Sequence, residues 1–175
     1  AAFHCEKLFH ATPSGIDNAV CTYGGLVKFQ ERRVVGSLAI PEADVLLVDT
    51  GKSRQTKLLV EGVRKRRDEL PQVVDPILEA IDRISHEMTD VIVNAPENSY
   101  RRVQVCMFTK RNVLNAAHSR QPISHTQELL TMNHWLLASL GVSHATLDDV
   151  QRIARANGQA AKLTGAGGGG LAFVH

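Results

Sequence analysis

Two stretches of this sequence combine residue types that could do chemistry. The first is Pro13-Ser14-Gly15-Ile16-Asp17-Asn18, rich in turn formers and carrying one carboxylate. Read as a loop between a helical opening and a strand, it holds Asp17 out on a turn. A carboxylate there can accept the proton of an alcohol as that hydroxyl attacks an electrophile, or hold the hydroxyl in line. Taken alone, the motif reads first as Asp17 and Asn18 making an Asx turn before the strand and doing nothing more. The second stretch is Lys162-Leu163-Thr164-Gly165-Ala166-Gly167-Gly168-Gly169-Gly170. Consecutive glycines lack Cβ atoms and permit positive φ, so their N–H groups can closely approach an anion such as phosphate, or another loop. A flexible linker is the plain alternative, but linkers usually sit between polar tracts, whereas this run lies between a helical pattern and the apolar residues 171–174. No strand pattern leads directly into it and no Lys-Ser or Lys-Thr follows, so it is neither a dinucleotide fingerprint nor a Walker loop.

The elements that must position these stretches are legible in outline. Residues 1–10 read as a helix already in progress, with no initiator Met. Residues 25–29, 34–40 and 44–49 are β-branched or apolar runs separated by turn residues and read as strands. Helical spacing follows: Leu58, Leu59 and Val63 after Thr56, then a longer stripe of Ile77, Leu78, Ile81, Ile84, Met88, Val91 and Ile92. Leu129, Leu130, Leu136, Leu137 and Leu140 make a third stripe, which Gly141 ends as a C′ residue. Thr146 reads as the N-cap of a fourth helix running to about Gly158. Residues 171–174 read as a strand at which the sequence stops, so both ends look cut. Strands followed by helices indicate an α+β fold. Residues 101–127 keep no period and contain Pro122, so they read as an irregular insert with the look of translated intron.

Composition narrows the class. With 43% hydrophobic and 22% charged residues, the 175-residue chain is an ordinary globular sequence. A net charge of +2 argues against a nucleic-acid partner, and Arg64-Lys65-Arg66-Arg67, followed by Asp68 and Glu69, reads as a solvated helix face. No apolar run approaches the roughly 20 residues of a membrane span. Cys5, Cys21 and Cys106 form no CxxC pair and read as reduced thiols. A soluble intracellular protein is the expectation, in the cytoplasm, with the peroxisome as the other compartment.

In this order and separation, the two motifs resemble those of the GHMP small-molecule kinases, whose second half carries a PSGxDN loop and later a GxGGGG loop. The likeness runs on through Thr22-Tyr23-Gly24-Gly25, through residues 46–64, and through Met132-Asn133 and Leu140-Gly141-Val142-Ser143-His144-Ala145. It is greatest to the branch that phosphorylates mevalonate. The resemblance implies that Asp17 is the catalytic aspartate, that Glu6 is a Mg²⁺ ligand, that Thr56 lies near the substrate, and that Gly165, Gly167, Gly168 and Gly169 bind the phosphates of ATP. Gly51-Lys52-Ser53 depart from the family's usual text, and Leu171 stands where Cys is frequent. The implied fold is an incomplete GHMP kinase, with a remnant of the N-terminal domain over 1–42 and an incomplete C-terminal domain over 43–175.

The lysine that would face Asp17 and the GLGSSA-type ATP loop of the family do not occur in these residues. The expectation is therefore a kinase portion that is inactive alone. Its parent would transfer the γ-phosphoryl of ATP to the 5-hydroxyl of mevalonate, in isoprenoid and sterol precursor synthesis, as a homodimer. The alternatives are a non-catalytic remnant or splice product that pairs with a full-length subunit, or another GHMP kinase with a different small alcohol as acceptor.

Overall fold

The computed structural model describes residues 14–38, 45–53, 55–94, 105–109 and 124–175, with 105–109 described by backbone course alone. The chain divides into two compact units, Ala1–Pro41 and Glu42–His175. Glu6, within the opening helix expected from sequence, lies outside the described residues.

In the first unit, α1 (Ile16–Tyr23) leads into a hairpin of β1 (Leu26–Gln30) and β2 (Arg33–Leu38). The two-residue turn between the strands holds Glu31 and Arg32 at φ of 50° and 63°. Positive φ at both central positions is what a tight hairpin matching strand twist requires. The stretch around Asp17 is not the plain loop expected from sequence. Gly15 at φ 88° serves as the N-cap and the chain turns helical at Ile16, which places Asp17 in the first turn. The Asx-turn alternative is replaced as well, because Ser14 makes the local turn, its Oγ accepting the Ile16 N–H at 3.3 Å.

The second unit is one four-stranded sheet with helices packed against it. Its strands are β3 (Val45–Asp49), β4 (Val105–Thr109), β5 (Ala161–Leu163) and β6 (Leu171–Val174), in the order β4-β3-β6-β5. β3 and β4 are parallel; the other pairs are antiparallel. The helices are α2 (Thr56–Glu69), α3 (Pro71–Val93), α4 (His125–Ser139) and α5 (Ala145–Ala156). Strand alternation sends Val48, Ala161, Leu163, Ala172 and Val174 into the core, against Leu147, Val150 and Ala154 of α5 and Val142. Leu59 and Val63 of α2 and Leu137 of α4 pack on that cluster. A fully buried side chain such as Leu147 contributes about 1.5–3 kcal/mol relative to exposure. The α+β architecture matches the expectation.

The long stripes hold. Ile84 is buried and the other six residues of the α3 stripe are half-buried, while Leu129 and Leu140 are buried on α4. Leu58 does not join its stripe and is 61% exposed, because Leu59 and Val63 form the inner face of α2. Gly141 ends α4 in a Schellman arrangement: its N–H reaches the Ala138 carbonyl at 2.8 Å, and the Val142 N–H reaches Leu137 at 3.3 Å. The N-cap of α5 is His144 rather than Thr146, its ring Nδ1 accepting the Thr146 N–H at 3.1 Å.

The irregular insert expected over 101–127 does not hold at its described parts. Residues Val105–Thr109 pair in register with Val45–Asp49 as β4. Their apolar run lacks alternation, as parallel strands do, and so does not announce itself by period. Ser124 and Gln127 form a reciprocal capping box that opens α4 three residues before Glu128, where the helical text was expected to resume. Residues 110–123 lie outside the description.

Candidate functional site

The glycine loop spans the turn of a hairpin. β5 leads directly into it and β6 leaves it, contrary to the expectation that no strand precedes it; three residues are too short a run to read as a strand. Thr164 closes the neck, its N–H and its Oγ1 both donating to the Leu171 carbonyl at 3.2 and 2.8 Å. Between them the backbone takes positive φ at Gly165, Gly167, Gly168 and Gly170.

Two neighbouring turns seat this loop. On one side lies the α4–α5 connection, where the Val142 carbonyl accepts the Gly168 N–H at 2.8 Å. A Cβ added to Gly167 would lie 2.0 Å from that carbonyl oxygen. On the other side lies the chain between β3 and α2. Gly170 donates to the Lys52 carbonyl at 2.9 Å, and the Gly170 carbonyl accepts from the N–H and Oγ1 of Thr50 at 2.9 and 2.8 Å. A Cβ on Gly169 would meet the carbonyls of Lys52 and Ser53 at 2.6 and 2.9 Å. The glycines are therefore needed first to pack backbone on backbone. Gly168, expected to hold phosphate, gives its N–H to Val142. Among the described residues, the N–H groups of Gly165, Ala166, Gly167 and Gly169 have no protein acceptor.

Thr56 is the exposed first residue of α2, three residues after Ser53, and the same turn carries Leu59, whose side chain lies over Gly168. The structure thus brings the expected substrate threonine and the glycine loop to one neighbourhood. Asp17 belongs to the other unit, exposed in the first turn of α1, with no hydrogen-bond or ionic partner among the described residues. No group of three or more His, Cys, Asp or Glu that could hold a metal occurs among the described residues, and the implied Mg²⁺ ligand Glu6 lies outside them.

Behind the loop lies a polar cluster that motif reading did not single out. His134 of α4 is fully buried, with Nε2 3.2 Å from Asp148 Oδ1, and the Ser143 hydroxyl donates to the same oxygen at 2.6 Å. The only signal for it was Ser143-His144, inside a segment noted for its family likeness. His134 Nδ1 and His144 Nε2 are buried without a partner among the described residues. Burial pushes His134 below the ordinary histidine range, opposed by the Asp148 carboxylate and assisted by the Lys162 ammonium. His144 is lowered by burial and by the charge of Lys52, and burial lowers Lys162.

The sign of the consequence follows from linkage. A histidine whose folded pKa lies below its unfolded value of 6.5 binds fewer protons folded than unfolded, so stability is fullest above 6.5 and declines as pH falls through it. Thermal melting is expected to drop between about pH 7.5 and about pH 5.5, and His134→Gln should shrink that drop while His144 maintains part of it. An unchanged pH profile in His134→Gln would remove His134 from the account.

The description "GHMP kinases C terminal" matches residues 115–174 of this chain. With the glycine hairpin and the α+β layer that carries it, that match gives the class this chain is similar to, the GHMP kinases, through their C-terminal domain. Within that family the similarity is to mevalonate kinases. The proteins of that name from Bos taurus and Homo sapiens are each 37% identical over 173 residues, covering 99% of this chain and 39% of their own length. The crystal structure of L. major mevalonate kinase in complex with R-mevalonate superposes with a TM-score of 0.68 at 25% identity, over 95% of this chain and 44% of that one. The chain thus spans about two-fifths of the length of the curated relatives it matches. No helix among the described residues is long and apolar enough to cross a membrane.

Proposed function

We propose that residues 1–175 are the portion of a mevalonate kinase that supplies the catalytic aspartate and the glycine-rich phosphate loop. The complete enzyme transfers the γ-phosphoryl of ATP to the 5-hydroxyl of mevalonate and works as a homodimer. The observation that carries this reading is the glycine hairpin, a Cβ-poor turn fixed by two neighbouring turns and retaining four N–H groups without acceptors among the described residues. Fixed amide donors stabilise phosphate charge without reorganising during the reaction. The fit to a polyphosphate lies in those donors.

In this reading the N–H groups of Gly165, Ala166, Gly167 and Gly169 hold phosphate oxygens, while Gly168 anchors the loop. Asp17 accepts the proton of the substrate hydroxyl, or holds that hydroxyl in line, and its lack of a partner among the described residues leaves the carboxylate open for the task. Thr56 contributes a hydroxyl beside the loop for the substrate. Glu6 would hold Mg²⁺ together with phosphate oxygens and water. ATP supplies the transferred group when bound, and the metal neutralises charge on its phosphates.

The test is a pair of assays. Purified residues 1–175 are expected to give no ATP-dependent phosphorylation of mevalonate. A chimera joining them to the N-terminal half of the human relative, which would bring the facing lysine and the GLGSSA-type loop, is expected to turn over. Turnover by residues 1–175 alone would overturn the division of labour between the halves. A folded chimera without turnover would overturn the kinase reading and favour a non-catalytic pairing role.

A further inference from the structure

The α4–α5 turn is held at three points within five residues. Its start is fixed by the Schellman bonds of Gly141 and Val142 to the end of α4. Its end is fixed by His144, which caps α5 through its ring. Its middle is fixed by Ser143, whose hydroxyl donates to Asp148 Oδ1 at 2.6 Å, while the buried His134 reaches the same oxygen from α4. The one backbone group that this turn offers the glycine loop is the Val142 carbonyl, next to Ser143, and it takes the Gly168 N–H at 2.8 Å. The carbonyl cannot rotate freely. Val142 is buried in the core on its side-chain side, and its peptide is bracketed by the Gly141 and Ser143 anchors.

We infer that Asp148 is a positioning residue for the glycine loop: by gathering Ser143 and His134 on one oxygen it aims the Val142 carbonyl, and that carbonyl sets the loop's free N–H groups for an anionic ligand. The inference rests on the phosphate-binding reading only in its last step. Asp148 belongs to the first turn of α5 and has no direct bond to the loop, so it acts through the turn. The second seat, Gly170 on Lys52, is independent of Asp148 and serves as an internal reference.

The test is amide hydrogen exchange followed residue by residue in the full chain, with Asp148→Ala, Asp148→Asn and Ser143→Ala. Asp148→Ala should speed exchange at Gly168 about tenfold or more while leaving Gly170 unchanged, since only one seat is released. Asp148→Asn should retain protection, because both donors use a single oxygen that Asn also presents. Ser143→Ala, which removes one hydroxyl and leaves α5 intact, should move Gly168 in the same direction by less. Unchanged exchange at Gly168 in Ser143→Ala and Asp148→Ala, or equal loosening of Gly168 and Gly170, would overturn the inference. Tripolyphosphate titration separates this from the functional reading. The parent chain and Asp148→Asn should bind it about tenfold more tightly than Asp148→Ala. If the variants show the exchange pattern but the parent chain does not bind tripolyphosphate, the seating stands and the phosphate reading falls.

Discussion

Gly167→Ala is expected to be the most damaging single substitution in the glycine loop, costing about 4 kcal/mol or more of stability. Two effects add. Gly167 sits at φ 80°, where any side chain is strained. Its new Cβ would lie 2.0 Å from the Val142 carbonyl oxygen, inside any permissible contact, and a tight 3.1 Å from the carbonyl carbon. Relief would require backbone movement, and the α4–α5 turn is the least able to move, being tied to α4, to α5 and to the core. The neighbouring glycines set the scale. Gly168→Ala meets a side-chain methyl of Leu59 at 2.5 Å, which can rotate away, so the cost reduces to backbone strain of about 1–2 kcal/mol. Gly169→Ala meets the carbonyl oxygens of Lys52 and Ser53 at 2.6 and 2.9 Å, a lesser overlap than at Gly167 and without the positive φ. Urea unfolding followed by the single tryptophan, Trp135 on α4, reads this unit directly. A Gly167→Ala midpoint equal to that of the parent chain would refute the ranking. Against a usual total of about 5–15 kcal/mol, the expected loss could unfold the unit outright.

Asp17→Ala should show the opposite signature in the chimera with the N-terminal half: turnover falling by about 10²–10⁴-fold with stability within about 0.5 kcal/mol of the parent. The structural basis is that Asp17 is exposed and makes no hydrogen bond or ion pair among the described residues, while Ser14 and Gly15 do the local work of starting α1. Removing the carboxylate therefore takes away chemistry and no architecture. Because the group is proposed to act on the reacting hydroxyl, the loss should fall on kcat with the KM for ATP nearly unchanged. A loss confined to KM would take Asp17 out of the proton-transfer role and leave it as a binding group at most. Loss of folding would instead revive a structural role for the motif.

What could be read from the sequence follows local rules. The stripes of α3 and α4 are set by a 3.6-residue period, and the stop at Gly141 by the left-handed conformation that only glycine adopts without strain, so both needed no knowledge of neighbours. The glycine run likewise declared a close approach of backbone to something. What it approaches was not local. Val142 and Lys52 lie 26 and 118 residues from their partners Gly168 and Gly170, and only the sheet order β3-β6-β5 brings the three turns together. β5 and β4 escaped notice for related reasons, one being three residues long and the other an unalternating apolar run that becomes a strand through pairing with β3. The capping of α5 by His144 reversed a propensity argument that favoured Thr146, because the His144 ring lies at the turn with Nδ1 accepting the Thr146 N–H. The Asp148 cluster lay beyond sequence reading altogether. A carboxylate in the first turn of a helix ordinarily complements the helix dipole, and only tertiary packing supplies the buried His134 and the Ser143 hydroxyl that turn it into a brace. Residue types and spacing thus determined the elements and the presence of a glycine-rich loop motif, whereas the burial and long-range hydrogen bonds that give the loop its shape arose only when distant turns met.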